Sequence, residues 1–413
     1  MLRLPPLDFR APTDLGEALA ILNGGIAVGA SEPAEGGGGS VAGAGAGGLA
    51  TGTGGPAGGA RARSNDGGGS ANGVGGPADG DGGSANDARG SVNDGGRVRL
   101  VAGGTDLWPN MKRRHQQAET VVSLMGIDEL REIEAGARGL TIGSTVTLTG
   151  VLRNPVIRNR YPGLARAVAA ISSPPLRNMG TLGGNLCVDT RCTYYNQTEE
   201  WRRSIDYCMK EQGTICWVAT NSPRCWAHSA SDAAPMLCAL GARVKLVSGV
   251  GEREIPLADF YRDDGIDYLG MRPGEILTEV FVPNGADSEH CRSAFWKLRR
   301  RGSIDFSVLS VAVALWMDKS NAVSRAAVYL GAVGSSPVAV DAAGELLVGR
   351  TIDEDLIAAV AHQARKDATP MSNTDFAPAW RGKMAEHYTH AALCEAAGLP
   401  VSRQAPKHGL TVV

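Results

Sequence analysis

Apolar positions along the chain change period several times, and each change marks an element. Over residues 13–23, Leu15, Ala18, Leu19 and Leu22 share one helical face, Asp14 and Glu17 have capping-box spacing, and Gly24-Gly25 end the segment. Val98-Arg-Leu-Val-Ala102 is a short apolar run of strand length, and Thr120–Leu124 and Leu140–Gly143 have the same character. Residues 163–171 suit a helix, and Arg243–Ser248 alternates as a half-buried strand does. Ser307–Trp316 and Ala326–Gly331 are apolar runs typical of buried strands, while Thr351–Lys366 and Pro378–Ala397 predict helices. Short strands and helices without a regular βαβ rhythm predict an α+β fold rather than a doubly wound sheet.

The pattern disappears between residues 24 and 97. Of those 74 residues 28 are glycine, half the glycine of the chain, and none is Phe, Trp or Tyr. Such a segment cannot bury enough apolar area to offset its ordering entropy, which predicts a disordered Gly-rich insertion, a tolerated expansion of a surface loop. The 413 residues leave room for more than one domain around it. A formal net charge of -2 with 20% charged residues gives no electrostatic case for nucleic acid or an anionic membrane. No run of 18 apolar residues appears, and Met1–Arg10 has neither a long apolar core nor a cleavage site, so the expectation is a cytoplasmic protein.

Two glycine loops stand out. Ala102-Gly103-Gly104-Thr105-Asp106 directly follows a predicted strand, and Thr181-Leu182-Gly183-Gly184-Asn185 follows a predicted helix and the Ser172-Ser-Pro-Pro175 turn. Without a Cβ, paired glycines let backbone N–H groups approach a phosphate, and Thr105, Thr181 and Asn185 offer side-chain hydrogen bonds to the same oxygens. Neither loop has the dinucleotide G-x-G-x-x-G or the P-loop spacing, and taken singly each is better read as a plain Gly-Gly turn.

In order, Ala102–Asp106, Gly180-Thr-Leu-Gly-Gly-Asn185, Ser231-Asp-Ala-Ala-Pro235, Phe295-Trp-Lys-Leu-Arg299 and Ala326-Ala-Val-Tyr-Leu-Gly-Ala332 resemble the FAD-binding subunit of the xanthine dehydrogenase (molybdenum hydroxylase) family. The resemblance covers roughly residues 5–23 and 98–400. It implies a two-part PCMH-type FAD-binding domain over 1–23 and 98–285, then a CO-dehydrogenase-flavoprotein-like α+β domain over 290–400. It further implies FAD contacts from Ala102, Gly103, Gly104, Thr105, Asp106, Thr181, Leu182, Gly183, Gly184 and Asn185, with Asp232 and Lys297 near the flavin or its ribityl chain.

About 40 residues separate the second loop from Ser231, where most members of that family run on almost directly. Within this segment, taken as 188–228, Cys192, Cys208, Cys216 and Cys225 are spaced C-x15-C-x7-C-x8-C among Tyr194, Tyr195, Trp201, Tyr207, Trp217 and Trp226. Four thiolates satisfy an iron–sulfur cluster or a zinc ion, and buried free thiols are the third possibility. Cys187 and Cys238 sit in apolar runs and are expected in the core, and His228 is either a loop histidine or a donor toward the cysteines. No nucleophile or acid–base dyad is evident.

The insertion resembles the β-subunit branch of the 4-hydroxybenzoyl-CoA reductases. That resemblance implies a [4Fe–4S] cluster on the four cysteines, a molybdopterin-binding α subunit and a [2Fe–2S] γ subunit as partners in a hetero-oligomer, and a ferredoxin-like electron donor. Electrons would pass by way of FAD to molybdenum, for dehydroxylation of 4-hydroxybenzoyl-CoA to benzoyl-CoA. The alternatives are a conventional molybdenum hydroxylase flavin subunit, with zinc or nothing on the cysteines, and a zinc-stabilised assembly subunit without flavin.

Overall fold

The computed structural model describes residues 3–24, 98–284 and 291–401. Apart from Gly24, the expected insertion 24–97 lies outside the described residues.

The first helix forms over Leu15–Leu22, because Asp14 accepts the Glu17 N–H while Glu17 reaches back to the Thr13 N–H. Its buried face, Ala18 and Leu22, packs with Val122, Leu124 and Ile127. Beside it lies a small parallel sheet of β1 (Asp8–Arg10), β2 (Val98–Val101) and β3 (Thr120–Ser123), in the order β1-β3-β2. The first glycine loop leaves the C-terminal end of β2, on the rim where parallel strands present their ligand-binding loops.

A second, antiparallel sheet holds β4 (Ile133–Gly136), β5 (Gly139–Gly143), β6 (Arg243–Ser248), β7 (Gly251–Pro256) and β8 (Ile276–Pro283), in the order β4-β5-β8-β6-β7. Short helices, among them Pro162–Ala169, Leu182–Leu186 and Ala233–Ala239, share its largely apolar core. The third sheet, β9 (Cys291–Leu298), β10 (Leu309–Met317), β11 (Val323–Gly331) and β12 (Val338–Ala339), is antiparallel in the order β12-β11-β10-β9. All nine residues of β10 are buried, as its apolar run predicts, and the helices Glu354–Asp367 and Pro378–Ala397 share its core.

The expected α+β class and the two long C-terminal helices are therefore observed. The pattern did not reveal β1, β4, β7, β8, β9 or β12, or the brief helix Leu107–Lys112; the edge position of β7 leaves most of it exposed, whereas β8 and β9 are largely buried. That helix carries Pro109 in its first turn, where a missing N–H removes no hydrogen bond.

Candidate functional site

The two glycine loops meet. A Cβ on Gly103 would overlap the carbonyl of Met179, and one on Gly104, held at φ +68°, would overlap the Trp108 ring. These glycines are thus required by close approach of the loops and by the left-handed turn. Ala102–Asp106 and Gly180, Thr181, Gly183, Gly184 and Asn185 line one cavity of about 300 Å³, walled further by Leu148, Ile171, Asp189, Tyr268 and Phe306.

The loops do not contribute alike. Among the described residues the N–H groups of Gly103, Gly104, Thr105 and Asp106 have no backbone partner. Gly104, at φ +68°, supplies the left-handed residue that an anion-accepting nest of successive N–H groups needs. In the second loop the Leu182 N–H donates to Val146 O (2.9 Å), Gly183 N–H to Ser144 O (2.9 Å) and Gly184 N–H to Thr181 Oγ1 (3.1 Å). That loop is therefore a wall, and the Leu182 side chain is wholly buried in the core rather than in the cavity. Asn185 Oδ1 accepts from Ser231 Oγ (2.8 Å) and the Ala233 N–H (3.2 Å), tying the wall to the Ser231–Pro235 segment.

Neither Asp232 nor Lys297 is among the residues that line the cavity. They form a buried ion pair with Nζ–Oδ2 at 2.6 Å; the Lys297 side chain is 0% exposed and also donates to Ala170 O (3.1 Å) and Asp305 O (2.9 Å). Ser307 donates to the other Asp232 oxygen. Through Ala170 the pair fixes the approach to Ile171 and Ser172, and through Asp305 and Ser307 it brackets Phe306; all three of those residues are cavity walls. A lysine and an aspartate close in space but 65 residues apart leave no local pattern, so the resemblance brought them near the flavin without revealing the pairing.

The four cysteines, spread over 34 residues, converge. Cys192, Cys208, Cys216 and Cys225 are all buried and line one small cavity with Tyr194, Tyr195, Met209, Lys210, Trp217 and Val218. The Cys216 thiol is lowered to about 5 by its hydrogen bond with Cys225, whereas burial pushes Cys192 up to about 11 and raises Cys208. Among the described residues, the one group of three His, Cys, Asp or Glu ligand atoms within 4.8 Å of one another is Glu354, His390 and Cys394. No three of the four cysteine sulfurs are therefore that close together. In the Glu354 group, His390 Nε2 faces Glu354 (2.7 Å) and Nδ1 faces Cys394 (3.6 Å), so the two partners use opposite ring nitrogens.

Residues 83–285 match the family model for the FAD binding domain in molybdopterin dehydrogenase, and residues 293–396 that for the CO dehydrogenase flavoprotein C-terminal domain. The aldehyde oxidoreductase FAD-binding subunit PaoB of Escherichia coli (strain K12) is 32% identical over 277 residues, covering 64% of this chain and 84% of that protein. The chain belongs to the FAD-binding subunits of the molybdenum hydroxylase family. The nicotinate dehydrogenase FAD-subunit of Eubacterium barkeri is 28% identical over 251 residues, covering 60% of this chain and 71% of that one. In fold, the flavoprotein matches a chain of carbon monoxide dehydrogenase from Hydrogenophaga pseudoflava with a TM-score of 0.64 at 20% identity, covering 96% and 99% of the two chains.

Several residues of this FAD-binding subunit escaped the sequence pattern. Arg191, next to Cys192, is buried, pairs with Asp106 of the first loop, reaches Asn110 Oδ1 (3.4 Å) and lies 4.5 Å from the Phe306 ring centroid. Asp106 is thus occupied by a protein cation. Burial lowers Arg191 to about 10, which leaves it charged at neutral pH. Asn373 donates to Trp226 O, accepts the Thr193 N–H (2.9 Å) at its own carbonyl, and is held by the fully buried Arg381. It braces the chain one residue beyond Cys192 and one beyond Cys225. His228 is buried, with Nδ1 against Ser229 O (2.9 Å), and burial lowers it to about 4. It is a neutral core residue of the loop and lines neither cavity. Cys187, expected in the core, is instead half-buried and lines the cavity of the two glycine loops, and burial pushes its thiol up to about 12.

Proposed function

We propose that this flavoprotein is the FAD and iron–sulfur electron-transfer subunit of a 4-hydroxybenzoyl-CoA reductase-type complex. The observation that carries the reading is the convergence of Cys192, Cys208, Cys216 and Cys225 on one buried cavity. Four thiolates satisfy a [4Fe–4S] cluster as they do zinc, and the cluster reading rests on the resemblance of the cysteine spacing.

When bound, FAD and the cluster supply the redox chemistry, while the protein binds them, orients them and excludes water. Ala102–Asp106 would take the pyrophosphate on their free N–H groups, and the Thr181–Asn185 segment would close the opposite wall. The Tyr and Trp side chains around the cysteines would keep the second cavity dry. The domain division at 285–290 is supported by the two matched stretches, 83–285 and 293–396. A molybdopterin-binding α subunit and a [2Fe–2S] γ subunit are the expected partners, in line with relatives named as the medium chain or a subunit of a complex. A ferredoxin-like donor and a reducing cytoplasm complete the reading, which agrees with eight free cysteines.

The second reading, a conventional molybdenum hydroxylase flavin subunit, is favoured by relatives named for nicotinate, aldehyde and carbon monoxide chemistry. Turnover of the complex co-purified with its partners separates the two. The first reading predicts benzoyl-CoA from 4-hydroxybenzoyl-CoA with a reduced low-potential donor. Reduction of NAD by an aldehyde, purine or nicotinate, with no aryl-CoA turnover, rejects it for the second.

A further inference from the structure

One buried cation at the cysteine cavity touches walls of the glycine-loop cavity, where FAD is proposed to bind. Lys210 lines the cysteine cavity two residues beyond Cys208. Its Nζ donates to Asp189 Oδ1 (2.8 Å), Thr190 Oγ1 (2.8 Å) and Gly265 O (2.7 Å), and both side chains of the pair are 6% exposed. Asp189 lines the flavin cavity, where its other oxygen accepts from Gln116 Nε2 (3.1 Å). The ammonium also lies 5.0 Å from the ring centroid of Tyr195, a wall of the cysteine cavity, and 5.4 Å from that of Tyr268, a wall of the flavin cavity.

All three ammonium protons are thus committed, which fixes the charge between the two cavities. A buried ion pair acts over longer range than an exposed one, because little solvent screens it. We propose that Lys210 is a positioning residue common to both cavities, its charge favouring the reduced state of whatever redox group each one holds, with Asp189 as the counter-charge that tempers it. The proposal rests on the cysteines holding an iron–sulfur cluster beside FAD. It concerns the electrostatic setting of the two sites and requires no bond to form or break.

The test is a spectroelectrochemical titration of the purified holo-subunit, with EPR detection for the cluster, in wild type, Lys210→Met, Lys210→Arg and Asp189→Asn. Iron and FAD are quantified in each sample. Lys210→Met removes the cation and leaves Asp189 as an unpaired anion. Both midpoints then fall, the cluster's by about tenfold in electron affinity, about 59 mV for a one-electron couple. Asp189→Asn leaves the cation untempered, and both midpoints rise. Lys210→Arg stays near wild type.

A purely structural role predicts loss of cofactor, or shifts of the same sign in Lys210→Met and Asp189→Asn; either result overturns the proposal. If Lys210→Met fails to fold, the upward shift in Asp189→Asn decides, and its absence rejects the idea. Wild type carrying FAD but no iron overturns the underlying cluster reading. Iron and FAD present with unmoved midpoints overturns the role of Lys210 alone.

Discussion

Replacing Lys297 by Met tests whether the Asp232–Lys297 pair is structural support for the cavity. The substitution keeps most of the side-chain volume and removes the charge. It leaves the Asp232 carboxylate, 5% exposed, with only the Ser307 hydroxyl, and strips a donor from Ala170 O and Asp305 O. Breaking a buried pair by removing one partner destabilises by about 3–5 kcal/mol, because an uncompensated charge stays behind. At about 2 °C per kcal/mol for a chain of this size, the melting temperature drops by about 6–10 °C. Calorimetry of the FAD-free protein keeps ligand mass action from adding to the difference. Adding Asp232→Asn removes the orphaned charge, so the double variant recovers at least about half of the loss. A Lys297→Met shift below about 2 °C, or a double variant as unstable as the sum of the singles, refutes the reasoning.

Further outcomes follow from the same geometry. Gly104→Ala must place a Cβ at φ +68° against Trp108; it lowers FAD affinity at least about tenfold, measured by flavin fluorescence, since the left-handed conformation alone costs about 1–2 kcal/mol. Asn373→Ala leaves Trp226 O without its donor, destabilising by about 1–3 kcal/mol and speeding iron release to a chelator while FAD release is unchanged. His115 and His228, both lowered to about 4 by burial, stay neutral in the fold while the unfolded chain takes up protons near 6.5. Stability is therefore full above about pH 6.5 and declines as pH falls toward 4; a pH series of melting curves with His115→Gln and His228→Gln checks that the slope shrinks.

Much of the fold was legible because it obeys simple periods. The helix at Leu15–Leu22 has its capping residues beside it, and β10 is apolar throughout because it is buried throughout. β7 was not legible, because an exposed edge strand needs no apolar pattern. At the site, the glycines and cysteines carried the signal, since their chemistry is unusual residue by residue. The different tasks of the two glycine loops could not be read, because they depend on which N–H groups tertiary partners such as Ser144 and Val146 take up. Arg191, Lys210 and Asn373 are ordinary residues in sequence and acquire their positions only when distant segments meet.

The central claim is that four cysteines hold an iron–sulfur cluster beside FAD, and metal and flavin content of the anaerobically purified chain tests it most directly. The account predicts about one FAD, four iron and four acid-labile sulfide per chain. It also predicts that Cys208→Ser loses the iron and keeps the flavin. FAD with zinc, or with no metal at all, would contradict it.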